Sequence, residues 1–299
     1  MNAPVSTLTC ETTPEPPEPA IVPSLLRIPM SAMVAISALA GYLAFPGLPR
    51  ITEAALLTVA IFLLAAGCSA LNQVQERAED ALMERTCRRP LPTGRITPTA
   101  ALTLAGALIV AGLLPMARLD HPVAGWGLGA LLLYNGLYTG LKKRTPFALL
   151  AGALCGALPP LMGWHAAGGN PADHRILGLA TLVLLWQVPH TWALGARNPD
   201  DSRGGPFASL FKALDAPRLA RLNRIWLLAL AIATLQLPAF GLLRSPSAQT
   251  LCLALCGGLL VCAFGATGAG SPKLRSIKLT LYLAGLICLV ILDNLSWSL

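Results

Sequence analysis

The stretch from residue 72 to residue 95, the first acidic stretch, carries a dense group of side chains suited to binding a charged substrate. Asn72, Glu76 and Asp80 stand four residues apart. At about 100° per residue they fall within a quarter-turn on one helix face. Arg85 and Arg89 follow, before a Pro-Leu-Pro-Thr-Gly segment that ends the helix. Carboxylates and amides bind hard divalent cations, and arginines bind phosphate, so we interpret the stretch as a diphosphate site bridged by Mg²⁺.

A second acidic stretch, residues 197–205 with the sequence RNPDDSRGG, closes another predicted helix. It pairs Asp200 with Asp201 and flanks them with Arg197 and Arg203. The two acidic stretches are expected on the same side of a membrane, where they could converge on one cavity. Two Mg²⁺ ions bridging a diphosphate would need acidic ligands from both.

A basic triplet, Lys142, Lys143 and Arg144, follows a further predicted helix on that side. These cations could neutralise charge as a diphosphate leaves. Two plainer interpretations stay open at this point. The first acidic stretch could be a solvated helix cap with ion pairs at i,i+4 spacing, and the basic triplet could be a topology anchor.

One histidine lies inside an apolar segment, in the sequence WQVPHTW at residues 186–192. Pro189 is expected to kink that helix, directly before His190. His190 could ligate an iron or orient a planar substrate. A histidine within a membrane helix more often completes a hydrogen-bond network, and that alternative stays open.

The composition places all of these side chains in a membrane protein. Of 299 residues, 55% are hydrophobic and 12% are charged, against roughly 25% charged residues in soluble domains. Apolar runs of about 17–25 residues, long enough to span a bilayer, recur along the chain. In such a chain the net charge of +8 records topology and does not indicate a nucleic-acid partner. The fold class is therefore all-α, a polytopic bundle of about nine transmembrane helices, predicted at 29–46, 51–71, 98–117, 122–141, 147–166, 175–195, 224–243, 248–268 and 278–297.

The distribution of basic residues orients this bundle. With the N-terminus on the cytoplasmic side, the opposite side holds only Arg50, Arg118, Arg175 and Arg244, which leaves 18 of the 22 basic residues cytoplasmic. This bias fits the positive-inside rule, which a miscounted helix would scramble. The two acidic stretches follow predicted helices two and six, four helices apart. This spacing indicates a duplicated four-helix unit with one helix added.

The N-terminal residues differ from the rest of the chain. Residues 1–24 are rich in Pro, Thr and Glu and lack an apolar run. We therefore expect a disordered tail over 1–24 and one transmembrane domain over 25–299. The tail has neither the basic start of a secretory signal nor the composition of a mitochondrial transit peptide.

The motifs together resemble the UbiA superfamily of intramembrane prenyltransferases, most closely its haem O synthase branch. The superfamily signature N-x-x-x-D-x-x-x-D corresponds to Asn72, Glu76 and Asp80, and the branch continuation M-x-R-T-x-x-R-P-L-x-x-G corresponds to residues 83–94. The segments YTGLKKRTP (138–146), ALPPLMGWHAAGG (157–169) and WQVPHTWAL (186–194) resemble further branch motifs. These signals stand in family order along most of the chain.

The resemblance implies prenyl transfer from farnesyl diphosphate inside the membrane. Mg²⁺ would be held by Asn72, Glu76, Asp80, Asp200 and Asp201, which together with Lys142 form the predicted catalytic set. Substrate binding would fall to Arg85, Arg89, Tyr138, Arg144, Arg197 and His190, with His190 positioning the acceptor. In this branch the acceptor is a vinyl group of haem B, and water completes a hydroxyethylfarnesyl substituent. The resemblance also implies a multi-pass protein of a bacterial inner membrane, with membrane lipid and haem-pathway enzymes as partners.

Four positions depart from the branch pattern. Glu76 replaces the middle aspartate of the first signature, and Ala78 stands where an aspartate often follows. Thr191 replaces a phenylalanine and Ser202 a tyrosine. Because these changes cluster at the site, prenyl transfer to an aromatic ring, such as a quinone precursor, stays as an alternative. A non-catalytic haem-handling or transport protein is a further alternative, and it predicts no dependence on Mg²⁺.

Overall fold

The computed structural model describes residues 20–264 and 271–298, except for the side chains of residues 297 and 298. Within these ranges the chain forms helices and no strand. The elements in chain order are α1 (Ile21–Leu26), α2 (Ile28–Ala44), α3 (Ile51–Gln75), α4 (Arg77–Ala81), α5 (Pro98–Leu119), α6 (His121–Leu131), a π-helix (Leu132–Tyr138), α7 (Thr139–Leu141), α8 (Ala148–Ala166), α9 (His174–Arg197), α10 (Pro199–Gly204), α11 (Leu210–Ala213), α12 (Ala216–Ala239), α13 (Pro246–Phe264) and α14 (Pro272–Ser298).

Seven of the described helices are long and apolar enough to cross a membrane, namely α3, α5, α8, α9, α12, α13 and α14. Helix α2 is a shorter apolar helix of 17 residues. Residues 121–141 are also helical, but the π-helix divides them into three pieces. Within the described residues, helices therefore lie at each of the predicted positions, and the all-α prediction is confirmed. The number of crossings and the side of the N-terminus stay predictions.

Several helix boundaries differ from those predicted; α14, for example, begins at Pro272, six residues early. Helix α12 begins at Ala216, eight residues before the predicted position, because the Asp215 side chain accepts a hydrogen bond from the backbone of Arg218 and caps the helix. Helical structure also begins at Ile21, inside the predicted tail. Most of that tail, residues 1–19, lies outside the described residues. The side chain of Gln73 holds α1 in place by donating to the carbonyls of Ser24 and Leu25.

The buried apolar side chains of the described chain form two main clusters. One is built chiefly from α9, α12, α13 and α14. The other is built chiefly from α2 and α3, with Met116, Val123 and Met162 from their neighbours. Residues of α2 and α8 occur in both clusters.

The joint between the two clusters is a close crossing of α2 and α8. A Cβ placed on Gly41 would overlap the carbonyl oxygen of Pro160, and a Cβ on Gly163 would overlap that of Ala38. Small residues are needed where two membrane helices approach so closely. Gly41 and Gly163 therefore allow these two helices to pack closely.

Candidate active site

The first acidic stretch begins where α3 ends. Asn72, Glu76 and Asp80 are each about 1% exposed, although they lie at the polar end of the helix. The predicted continuous helix is interrupted, because Glu76 has φ −105° and ψ 11° and separates α3 from α4. Backbone hydrogen bonds from Glu76 N to Asn72 O at 2.9 Å and from Asp80 N to Glu76 O at 2.8 Å carry the helical register across this break.

The carboxylate of Glu76 is neutralised by Lys142, which follows α7. Lys142 Nζ lies 2.8 Å from Glu76 Oε1 and 2.9 Å from Oε2, so one ammonium bridges both oxygens. The Glu76 side chain is 2% exposed and that of Lys142 is 24% exposed. Burial lowers the pKa of Lys142, and the Glu76 charge opposes that shift. The extra methylene of glutamate thus reaches a basic residue 66 positions away in the chain.

A second buried pair joins Asp80 to Arg89. Arg89 Nη1 lies 2.6 Å from Asp80 Oδ2, with side-chain exposures of 14% and 1%. Burial and the charge of Arg27 lower the pKa of Arg89 to about 10, still well above neutrality. Thr86 Oγ1 donates to the Asp80 carbonyl at 2.8 Å and closes the turn between the two partners. These contacts are far more specific than those of a solvated helix cap.

The π-helix is anchored to α3 beside these pairs. Asn135 Nδ2 donates to Gln75 Oε1 at 3.1 Å, and Gln75 Nε2 donates to the Asn135 carbonyl at 3.1 Å. Asn72 Nδ2 donates to Thr139 Oγ1 at 3.1 Å, which leaves the Asn72 side-chain oxygen as the potential metal ligand. π-helical segments are rare and occur frequently at functional sites. Here the segment brings Lys142 to Glu76.

The second acidic stretch meets the first, as the sequence predicted. Asp201 Oδ1 accepts a hydrogen bond from the backbone nitrogen of Glu84 at 2.8 Å, and Oδ2 accepts one from that of Arg85 at 3.1 Å. Downstream, the backbone of Ala208 donates to the Lys142 carbonyl at 2.9 Å. The Phe207 ring lies 4.3 Å from Lys142 Nζ. Residues 199–213 therefore contact both the first acidic stretch and Lys142.

The other predicted basic and acidic residues are placed less closely. Arg85 has an exposed side chain beside the buried pairs, and the surrounding protein together with the Arg27 charge lowers its pKa, with Asp201 opposing. Arg144, Arg197 and Asp200 are exposed, and the described residues include no ion-pair partner for them. Their roles stay predictions.

The two predicted ring-bearing residues lie on different helices. His190 stacks on Trp186 with ring centroids 4.4 Å apart and 17° between the planes. Its Nδ1 is buried and has no hydrogen-bond partner among the described residues. The alternative that His190 completes a hydrogen-bond network therefore finds no support at this atom. Tyr138 stacks on Tyr134 at 5.4 Å and lies 5.5 Å from Lys142 Nζ.

The sequence interpretation missed three contributors to this cluster. Glu79 binds Lys143 at 2.5 Å, which makes the middle member of the basic triplet a structural partner. Thr139 and Phe207 contact Asn72 and Lys142, respectively. Glu79 lies three residues after Glu76, and helical spacing alone could have indicated it. The other two depend on contacts between distant segments.

The cluster fits a divalent cation in its donor types, since an amide oxygen and hard carboxylates come from consecutive turns. In the described part of the chain, however, no three His, Cys, Asp or Glu side chains are arranged to hold a metal ion. Glu76 and Asp80 are each held by a cation instead. Metal binding would require Lys142 and Arg89 to move away from these oxygens, so the metal site stays a prediction.

Comparison with known proteins gives consistent matches over most of the chain. The profile of the UbiA prenyltransferase family matches residues 33–283. A protoheme IX farnesyltransferase of Nitratidesulfovibrio vulgaris is 40% identical over 249 residues, covering 81% of this chain and 84% of the relative. The protein of that name from Geobacter sulfurreducens is 46% identical over 225 residues, covering 73% and 81%.

Solved structures show the same fold. A UbiA homolog from Aeropyrum pernix K1 matches with a TM-score of 0.74 at 18% identity, covering 91% of this chain and 99% of that one. A UbiA homolog from Archaeoglobus fulgidus bound to GPP and Mg²⁺ matches with a TM-score of 0.66 at 15% identity, covering 91% and 99%. With seven helices able to span a bilayer, the protein is a multi-pass membrane protein, and its sequence and fold together show that the chain belongs to the UbiA prenyltransferase family.

Proposed function

We propose that this protein transfers a farnesyl group from farnesyl diphosphate to a vinyl group of haem B, with Mg²⁺ as the cofactor. The observation that carries the proposal is the buried charge cluster of Glu76, Lys142, Asp80 and Arg89. It occurs in a chain 40% to 46% identical to relatives named protoheme IX farnesyltransferase. Charges within a membrane protein are costly and usually functional, so two buried carboxylates beside basic residues support a functional site.

The transfer balances without a redox partner. The C1–O bond of farnesyl diphosphate breaks, and the diphosphate leaves with the electron pair. The vinyl group of haem B supplies the electron pair for the new carbon–carbon bond, and water then adds to the other vinyl carbon and loses a proton. The product is a hydroxyethylfarnesyl haem and inorganic diphosphate.

In this reaction the residues of the charge cluster would bind the metal ion and the diphosphate of the donor. When bound, Mg²⁺ would stabilise the negative charge that develops on the leaving diphosphate. Asn72, Glu76 and Asp80 are its proposed ligands, with Asp200 and Asp201 contributed by the second acidic stretch. Once released from the carboxylates, Lys142 and Arg89 can turn to the diphosphate. Arg85 needs no such release, because it forms no ion pair within the described residues.

The acceptor would lie against α9, where His190 stacks on Trp186. A stacked indole–imidazole pair, with one buried ring nitrogen that has no partner among the described residues, is suited to a large planar ligand that carries a metal. The two substitutions nearby do not alter this ring pair. Thr191 Oγ1 donates to the Gln187 carbonyl and Ser202 Oγ to that of Gly195, so both satisfy local backbone. The ring pair and the unpartnered Nδ1 of His190 thus favour haem over a smaller aromatic acceptor.

We also propose that the protein lies in a bacterial inner membrane, with its charge cluster at the cytoplasmic side and lipid around the helices. Haem-pathway enzymes that supply haem B or take the farnesylated haem are the proposed partners. The apolar helices would shield the allylic cation from premature attack by water.

A product assay on the detergent-purified protein tests the proposal. The protein receives haem B, farnesyl diphosphate and Mg²⁺, and mass spectrometry follows the haem. We expect a farnesylated haem from the wild type, and none with EDTA or with Glu76→Ala. Glu53→Ala is the matched control, because Glu53 pairs with Arg50 on the surface and lies outside the cluster.

Each outcome of the assay separates the candidates. Diphosphate release without a haem product would reject haem B and direct the search to aromatic acceptors. Turnover that survives both EDTA and Glu76→Ala would contradict the metal site. A folded protein that neither farnesylates haem nor releases diphosphate would reject the enzyme proposal altogether.

A further inference from the structure

Arg27 occupies the break between α1 and α2 and is the one residue other than glycine, within the described chain, with a positive φ. Its φ of 44° and ψ of 54° are left-handed. This conformation is strained for a residue that carries a side chain, because Cβ approaches the following carbonyl oxygen. Such strain persists where the surrounding structure enforces it, commonly at functional sites.

The contacts of α1 place this break beside the charge cluster. Leu25 is fully buried and packs in one cluster with Ala70 of α3 and with Leu91, which follows Arg89 by two residues. Gln73 Nε2 donates to the Leu25 carbonyl at 2.7 Å and to the Ser24 carbonyl at 3.2 Å. Gln73 also adjoins Asn72 in sequence. The turn that contains Arg27 is therefore fixed against the two segments that carry the buried pairs.

The charges at this place are incompletely compensated. Glu76 and Asp80 are neutralised by Lys142 and Arg89, whereas half-buried Arg27 forms no ion pair with any described residue. After burial, the Arg27 charge is the largest cause of the lowered pKa of Arg89. Arg27 and Arg89 repel one another, and an anion bound by both would relieve that repulsion.

We propose that Arg27 is a phosphate-binding residue of this site and that Gln73 positions it. The inference rests on the proposed function, since it takes the diphosphate of the donor as the anion. A guanidinium offers several donors in a planar fork to phosphate oxygens. The strained turn that carries this group is packed against α3 and against the segment that holds Arg89. Positively charged Arg27 would thus bind the diphosphate, and Gln73 would act through the backbone of α1.

The test measures binding of inorganic pyrophosphate with Mg²⁺ to the full-length protein by calorimetry, without any haem. Arg27→Gly removes the charge while glycine accepts the left-handed backbone, so misfolding is not expected. We expect affinity to fall about tenfold, the lower range for a charge-assisted hydrogen bond. Arg27→Lys should recover most of the loss. Arg50→Gly is the matched control, because Arg50 lies on the surface beside Glu53. The pyrophosphate affinity of this variant should equal that of the wild type.

A double substitution tests the positioning role of Gln73. Gln73→Leu should weaken pyrophosphate binding by a few-fold and raise KM for farnesyl diphosphate more than it lowers kcat. Added to Arg27→Gly, it should cause no further loss of affinity, because the group it positions is already absent. A purely structural role would instead lower affinity equally in both backgrounds.

The outcomes separate this inference from the proposed function. Wild-type affinity in Arg27→Gly, or an equal loss in Arg50→Gly, overturns the role of Arg27 and leaves the transferase intact. A tenfold loss of pyrophosphate affinity in Arg27→Gly supports the role of Arg27. If the wild type then gives no farnesylated haem in the product assay, haem is rejected as the acceptor while the role of Arg27 stands. A wild type that does not bind pyrophosphate rejects both.

Discussion

Replacing Lys142 by methionine tests whether the buried pair with Glu76 holds the resting site together. The substitution shortens the unbranched side chain by one atom and removes the ammonium that bridges both carboxylate oxygens at 2.8 and 2.9 Å. Because the Glu76 side chain is 2% exposed, its charge would be left buried without a partner. Removing one member of a buried ion pair costs about 3–5 kcal/mol.

The cost converts into a measurable shift of the unfolding temperature. For a chain of this size about 1 kcal/mol corresponds to roughly 2 °C in Tm, so Lys142→Met should lower Tm by about 6–10 °C. Replacing both partners by methionine removes the buried charge as well, and such exchanges are often neutral or stabilising. The double variant Glu76→Met, Lys142→Met should therefore return to within about 2 °C of the wild type.

The neighbouring pair provides a matched control. Lys143 binds Glu79 at 2.5 Å, but the Lys143 side chain is 43% exposed. Exposed ion pairs contribute about 0–1 kcal/mol, so Lys143→Met should lower Tm by less than about 2 °C. The measurement is tryptophan fluorescence during heating, in detergent with EDTA, so that metal does not contribute. Equal shifts for Lys142→Met and Lys143→Met, or no recovery in the double variant, would refute the buried-pair argument.

Two further predictions concern the scaffold. Arg175 binds Asp173 through Nη2 at 2.7 Å and lowers the Asp173 pKa from 3.8 to about 2; this stabilisation is therefore present above about pH 4 and lost as the pH falls towards 2. The Tm of Asp173→Asn should lie below that of the wild type at pH 7 and converge with it near pH 2; a constant gap would contradict this. Gly163→Ala should destabilise the protein by roughly 1–3 kcal/mol, because the added methyl group overlaps backbone of Ala38, whereas Gly129→Ala in open space should be neutral or stabilising. Thermal unfolding of both variants checks this, and equal Tm values would argue against the close crossing.

Much of the site could be predicted from the sequence because its parts are local. Asn72, Glu76 and Asp80 are four residues apart, and any helix places them on nearby faces. The apolar runs fix where helices lie, since a bilayer leaves the backbone few other ways to satisfy its hydrogen bonds. The family motifs added the reaction, and the family profile and relatives confirmed that membership.

Local patterns could not predict which charges would pair. In the sequence, the three cations of the basic triplet are equivalent. In the structure Lys142 binds Glu76, Lys143 binds Glu79, and Arg144 is exposed. The choice depends on the π-helix, which is not visible in hydropathy and which turns the end of residues 121–141 towards α3.

The sequence by itself thus determined the membrane class, the helix positions and the acidic and basic inventory, because these follow from composition and from spacing along one chain segment. The tertiary structure alone decided that Asp201 binds the backbone of Glu84 and Arg85 across more than a hundred residues. It also decided that Arg27, one of many basic residues at the predicted cytoplasmic border, lies in a strained turn beside the charge cluster. Such placements depend on how helices distant in sequence pack, and the short range of hydrogen bonds and packing contacts leaves no trace of them in local periodicity.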